Sequence, residues 1–212
     1  MEALPTEEVL CKGCQTKLVS SLFCFSCHTL QRLITPVNYF KVFGFPVTFS
    51  VDLTRLEAMY EKLATELHPD FHVTATPEKQ KQSQLLSAVL NQAYETLKNP
   101  STRAAYLLEL LSKHVELDAR QLPEGFLADM FETQETLDEA LGSPERKREV
   151  QKIGAEVEER LKQVQWDYSK LFIQFEVSPV ALFAHLQTIQ TYLNTERYLQ
   201  RLLERCSVAT PN

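Results

Sequence analysis

From Tyr39 onward the apolar positions recur every three or four residues and seldom alternate, a pattern that predicts helices and few strands. Leu53, Leu56, Tyr60, Leu63 and Leu67 form one stripe, Leu86, Val89, Ala93 and Leu97 a second, and Leu182, Leu186, Ile189 and Leu193 a third. Four helix starts are marked by an acceptor side chain followed by proline: Thr76-Pro77, Asn99-Pro100, Ser143-Pro144 and Ser178-Pro179. Proline costs nothing there, because the first N–H of a helix has no partner within it. The helix from Asp52 to Leu67 runs into His68-Pro69-Asp70, a loop continues to Thr76, and a second long helix covers 77–98. Proline stops the first helix, which leaves His68 and Asp70 at the tip of the loop. The expected fold class is all-α.

The N-terminal stretch follows another rule. Cys11-Lys12-Gly13-Cys14 and Cys24-Phe25-Ser26-Cys27 are two CxxC knuckles whose thiolates can converge on one Zn(II), with Gly13 expected to ease the first turn. Two disulfides compete with this reading, but a reducing compartment disfavours them; a thioredoxin-like redox pair would need a βαβ setting that the pattern lacks. Four thiolates fill a tetrahedron and leave no position for water, so the site reads as structural, and the metal would supply folding energy that so short a segment cannot draw from burial. His28 reads as an exposed polar residue beside Cys27. Cys206 stands alone, as a small buried hydrophobe or a surface thiol.

Composition narrows the function classes. The 212 residues carry a net charge of -6, with 44% hydrophobic and 24% charged residues, an ordered globular composition without the basic footprint of nucleic-acid binding. No run of 18 apolar residues predicts a membrane span. Met1 to Val9 carries Glu2, Glu7 and Glu8 and matches neither a secretory signal nor a transit peptide. The expected site is the cytoplasm, or the mitochondrial matrix if an upstream presequence has been removed.

The acidity lies mostly in the C-terminal half. In the helix after Pro123, Phe126, Met130, Leu137 and Leu141 share a core stripe, while Leu127 and Phe131 lie about 100° round from it, near Glu132, Glu135 and Glu139. From the pattern this is either a docking patch, apolar inside and charged at its rim, or a solvated acidic face whose two apolar residues pack on a neighbouring helix. Tyr168, Leu171, Phe172 and Phe175 read as core. Trp166 is open to either assignment.

Around these features the chain resembles the J-domain family: Tyr39, Phe40 and Phe43-Gly44, then His68-Pro69-Asp70, then Asn91, Ala93-Tyr94 and Leu97. More narrowly it is similar to the HscB family of iron–sulfur co-chaperones. Arg103-Ala-Ala-Tyr106 is followed by Leu107-Leu108-Glu109-Leu110, and Phe126 to Glu139 and Arg197 to Glu204 also match that pattern, with the knuckles of a zinc-bearing subclass. The resemblance implies a zinc module over 1–35, a J-domain over 36–111, and a C-terminal three-helix bundle over 112–212 set against it in an L-like arrangement. It implies a non-enzyme that binds an IscU-type iron–sulfur scaffold, delivers it to an HscA- or DnaK-type chaperone and stimulates the ATPase of that chaperone. His68, Pro69 and Asp70 would touch the chaperone. Leu127, Phe131, Glu132, Glu135, Glu139 and Trp166 would hold the scaffold; Ala128, where the family often carries a larger apolar residue, is too small to add to that surface. One departure stands out: Arg55 and Lys62 are outnumbered by Asp52, Glu57, Glu61 and Glu66 in a helix that is strongly basic in many J-domains, so steering to an acidic chaperone surface should be weak.

Two other classes compete. A general J-protein would present unfolded clients without preference for a scaffold. An enzyme finds little support, since His72, His114 and His185 stand at no acid–base spacing and there is no Gly-rich phosphate loop. Whether the zinc module also joins two copies in a homodimer is left open by the sequence.

Overall fold

In the computed structural model the described residues are 9–177 and 179–209, without the side chains at 144, 175–184 and 208–209. The expectations for Glu2, Glu7 and Glu8, for the Ser178 cap and for the side chains of Phe175 and Leu182 fall outside them. The chain divides into two compact units, Met1–Arg103 and Ala104–Asn212.

The first unit opens with the two knuckles. A bridge joins Leu10 to Lys17, and β1 (Phe23–Cys24) pairs antiparallel with β2 (Thr29–Leu30) in the register Phe23 to Leu30 and Cys24 to Thr29. Short helix α1 (Tyr39–Val42) follows, capped by Asn38, whose Oδ1 accepts from the N–H groups of Phe40 at 3.0 Å and Lys41 at 3.3 Å. It buries Phe40, Val42 and Phe43 completely. Gly44 then turns the chain with φ +68°, and a Cβ there would sit 2.5 Å from the Val19 carbonyl oxygen, so only glycine allows the cysteine module to close on α1.

Helix α2 (Leu53–Leu67) and helix α3 (Pro77–Lys98) form the hairpin. Asp52 caps α2 by accepting from the Arg55 N–H at 3.1 Å, and Thr76 caps α3 with Pro77 at its first position, as expected. Leu56, Leu63 and Leu67 bury against the face carrying Leu86, Leu90, Ala93 and Leu97, each leucine contributing roughly 1.5–3 kcal/mol on burial. Two predicted stripe members differ. Leu53 is exposed, as the first residue of α2 outside the hairpin interface, and Leu90 takes the buried position beside a half-buried Val89. Tyr60 stacks on Tyr94 at 4.1 Å between ring centres and donates to Asn91 Oδ1 at 3.1 Å, while the Tyr94 hydroxyl donates to Glu57. Asn91 and Tyr94 of α3 therefore tie the hairpin together.

Helix α4 (Pro100–Leu111) starts at the predicted Asn99-Pro100 pair, with Asn99 Oδ1 accepting from the Ser101 N–H at 2.8 Å. Arg103 is buried; its guanidinium lies 5.1 Å over the Phe49 ring and donates to the Leu97 carbonyl at the end of α3.

The second unit consists chiefly of α5 (Phe126–Leu141), α6 (Lys147–Val177) and α7 (Pro179–Ala209). Val150, Ile153, Val157, Val164, Tyr168 and Phe172 of α6 are buried, as are Leu186, Ile189, Leu193, Leu199 and Leu202 of α7, and α5 adds Phe126, Met130, Leu137 and Ala140. Tyr168 and Phe172 are core as expected, whereas Leu171 is half-buried. Leu141 is not core: Ala140 fills the last inward position and Leu141 turns outward beside Gly142. The Ser143-Pro144 pair also departs from expectation. It opens a short 3-10 turn, Pro144–Arg146, without a side-chain cap bond, and α6 begins only at Lys147. Asn194 Nδ2 donates to the carbonyls of Ala119 and Gln121, and Gln187 exchanges bonds with Asp118, which pins the preceding loop to α7.

Candidate functional site

The cysteine quartet comes together as the spacing predicts. The Sγ atoms of Cys11, Cys14, Cys24 and Cys27 all lie within 4.8 Å of one another, with Cys11 to Cys27 and Cys14 to Cys24 each at 3.6 Å. Zn–S bonds of about 2.3 Å in a tetrahedron require sulfur–sulfur edges of about 3.8 Å, so these thiols form a cluster able to coordinate a metal ion. All are free thiols. The Cys14 backbone N–H and, after it, that of Gly13 hold the Cys11 thiol down to about 5 against its burial. Thr16 lowers Cys14. At Cys27 the Thr29 hydroxyl pulls downward, but burial and the thiols of Cys14, Cys11 and Cys24 push it up to about 11. A divalent cation, which takes thiols as thiolates, would replace those thiol hydrogen bonds.

Outer partners are also in place. The Thr29 hydroxyl is 3.0 Å from Cys27 Sγ, and buried Gln31 sends Nε2 toward Cys11 Sγ at 3.6 Å. Gly13 is not the strained position: a Cβ there would meet sulfur at an ordinary 3.8 Å. The left-handed residues are Gln15 (φ 60°) and His28 (φ 52°), each directly after the second cysteine of its knuckle. His28 is exposed and stands outside the sulfur cluster.

The second feature is the tip of the hairpin. His68 ends α2 in an extended conformation (ψ 130°), imposed by Pro69, and residues Pro69–His72 form a 3-10 turn. His68 Nδ1 accepts from the Asp70 N–H at 3.3 Å and lies 3.7 Å from its carboxylate, which is 85% exposed. Phe71 and Val73 are also exposed. The tip presents an anion, an imidazole and an apolar ring to solvent on a fixed backbone.

Residues overlooked in the sequence hold that backbone. The Ser83 and Ser87 hydroxyls of α3 both donate to the Leu67 carbonyl, at 2.6 and 2.8 Å, and Gln80 Nε2 donates to the carbonyls of Val73 and Ala75. Serines in phase with Leu86 and Leu90 on a core face were the available signal. The two cations of α2 are engaged within the unit: Arg55 lies 4.9 Å over Phe45 and Lys62 4.1 Å over Phe25. Both remain exposed, so each keeps its charge while leaning on a ring of its own unit.

The third feature lies on α5. Leu127 and Phe131 are 57% and 61% exposed, which removes the reading in which they pack on a neighbouring helix. They stand in line with Glu135, flanked by exposed Glu132 and Glu139 and by small Ala128. The carboxylates divide. Asp129 pairs with Arg160, Asp138 with Arg205, and Glu139 with Arg146 at 3.4 Å, whereas Glu132 and Glu135 have no ion-pair partner among the described residues. Trp166 stands on α6, 61% exposed, with Lys170 Nζ 5.5 Å over its ring; it is not a core residue.

Residues 38–106 match the DnaJ domain family, and residues 122–207 match the HSCB C-terminal oligomerisation domain family. A co-chaperone protein HscB homolog of Neisseria meningitidis is 42% identical over 107 residues, covering 49% of this chain and 63% of the relative. The homolog of Psychromonas ingrahamii is 37% identical over 102 residues, covering 48% and 60%. These matches thus span less than two thirds of each curated relative. Among solved structures, human co-chaperone protein HscB superposes with a TM-score of 0.73 at 25% identity over 94% of this chain and 98% of its own. Chaperone HscB from Vibrio cholerae gives 0.67 at 22% identity, over 81% and 96%.

Proposed function

The chain belongs to the HscB family of J-domain co-chaperones, and from that membership we propose that it binds an IscU-type iron–sulfur scaffold, delivers it to an HscA- or DnaK-type chaperone and activates the ATPase of that chaperone. The observation that carries this reading is the presence, in one chain, of an exposed His68-Pro69-Asp70 tip within the DnaJ match and an exposed Leu127–Phe131 patch, with Glu132 and Glu135 free of ion pairs among the described residues, within the HSCB C-terminal match. The role is non-catalytic: ATP chemistry belongs to the partner.

At the tip, Asp70 answers a chaperone arginine through a charge-assisted bond, and His68 fixes the turn by accepting from the Asp70 N–H. On α5, Leu127 and Phe131 form the apolar centre of the scaffold interface, Glu132 and Glu135 its charged rim, and Glu139, shared with Arg146, its edge. Trp166 extends this surface onto α6. Cys11, Cys14, Cys24 and Cys27 hold a structural Zn(II) with no position open for water, so the metal supplies folding energy and takes no part in a reaction. The working divisions are a zinc module over 1–35, a J-domain over 36–111 and a scaffold-binding domain over 112–212.

Calorimetric titration with an IscU-type scaffold tests this. The wild-type chain should bind it, and Leu127→Ala with Phe131→Ala should weaken binding by tenfold or more, on the order of 1.4 kcal/mol or above. Equal affinity for the scaffold and for denatured protein, untouched by these substitutions, would instead mark a general J-protein.

A further inference from the structure

The cysteine module does more in this structure than fold around its own sulfurs. Its second knuckle lies against the last turns of α2, just before the His68-Pro69-Asp70 tip. Phe25, inside the knuckle, has Lys62 Nζ 4.1 Å above its ring. His28, directly after Cys27, faces Glu66 one turn further along, with Nδ1 3.9 Å from Oε2. The Glu66 carbonyl in turn lies 3.1 Å from Nε2 of His72, which belongs to the turn that carries Asp70. A second strut reaches α3, where Gln82 Nε2 donates to the Gln31 carbonyl at 3.0 Å. Gln31 is the same residue whose side-chain amide points at Cys11 Sγ.

These interactions join the sulfur cluster to both arms of the hairpin at the end where the tip is formed. Phe25 and His28 can keep their places only while the knuckle is closed, because each ring leans edge-on against buried Phe23, at 5.2 and 6.0 Å. Strands of two residues cannot close the knuckle unaided. A helix terminus is also the part of a helix that opens first, and α2 ends at a proline that contributes no further N–H. We propose that the metal-loaded knuckle is a positioning brace for the chaperone-binding tip, with Phe25 and His28 acting through Lys62 and Glu66 to hold the final turn of α2. This positioning role rests on the reading of His68-Pro69-Asp70 as the chaperone-binding element; the mechanical link to α2 stands apart from it.

The test uses the full chain in reducing buffer, loaded with zinc or stripped by a chelator, and reads amide hydrogen exchange together with the activation of an HscA- or DnaK-type ATPase. Stripping should speed exchange over 62–72 as well as over the knuckles, by about two- to fivefold, as removal of a cation–π interaction at an exposed site implies, while α5 to α7 exchange as before. The concentration for half-maximal ATPase activation should rise while the plateau holds, because His68 and Asp70 remain present. Zinc-loaded Phe25→Ala and Lys62→Ala should reproduce both effects, and Phe25→Tyr and Lys62→Arg should restore wild-type values. Rapid exchange confined to 9–34 on stripping, or zinc-loaded Phe25→Ala exchanging over 62–72 as wild type does, would overturn the brace. If zinc-loaded wild-type protein fails to activate any chaperone, the functional reading falls, and the exchange data still decide whether the brace exists.

Discussion

Removing the serine hydroxyls beneath the tip probes how its backbone is held. The Leu67 carbonyl belongs to the last turn of α2, where no later N–H can reach it, and Leu67 is fully buried. It accepts from both Ser83, itself buried, and Ser87. Losing one donor leaves the oxygen satisfied by the other, so Ser83→Ala or Ser87→Ala alone should cost about 0.5–1 kcal/mol. Losing both leaves a buried acceptor with neither serine donor, a penalty of roughly 1–3 kcal/mol beyond the sum of the singles. For a unit near a hundred residues this corresponds to a fall in Tm of about 10 °C. The sole tryptophan, Trp166, lies in the second unit and reports nothing on this one. The assay is therefore amide exchange of α2 and α3 in the full chain, as single and double mutants in a cycle. Strict additivity of the two substitutions, or a double mutant within 0.5 kcal/mol (about twofold) of wild type, would refute the account of the tip.

Other consequences are equally direct. Arg103→Ala removes the bond to the Leu97 carbonyl and the cation–π interaction with Phe49, and should lower the stability of the first unit by about 2 kcal/mol in urea unfolding followed by exchange. Glu135→Gln should weaken scaffold binding and its salt dependence more than Glu139→Gln, since Glu139 already shares Arg146; titrations at two salt concentrations compare them. Lys170 first, and then Gln163, hold the Asp167 carboxyl below its usual range, so its contribution is present above the unfolded-state pKa and lost as pH falls through the folded one. Being exposed in part, it should be worth under about 1 kcal/mol, and the stability gap between wild type and Asp167→Asn should close on acidification.

What could be read in the sequence was local. The CxxC quartet declares itself by spacing, and the tip by a proline after an amphipathic run. The α5 patch was visible as apolar residues out of phase with a core stripe. Interactions that link distant positions were not legible. Ser83 and Ser87 fall on the core face of α3, but nothing in the sequence says that both donate to one carbonyl on another helix. Lys62 reads as a steering charge until Phe25 is found beneath it. Glu139 reads like Glu135 until Arg146 arrives from beyond the turn. Leu141 is the last residue of α5, where Ala140 already fills the inward position, and Pro144 opens a 3-10 turn ahead of α6, so the cap-and-proline rule placed that helix start three residues early.

If one chain couples scaffold capture to chaperone activation, as proposed, the steady-state ATPase rate of an HscA- or DnaK-type chaperone registers both events. The rate should rise with this protein, rise further when an IscU-type scaffold is added, and return to the basal level with His68→Gln, while Phe131→Ala should abolish only the scaffold-dependent increment. A rate indifferent to the scaffold, or one unchanged by His68→Gln, would contradict the account.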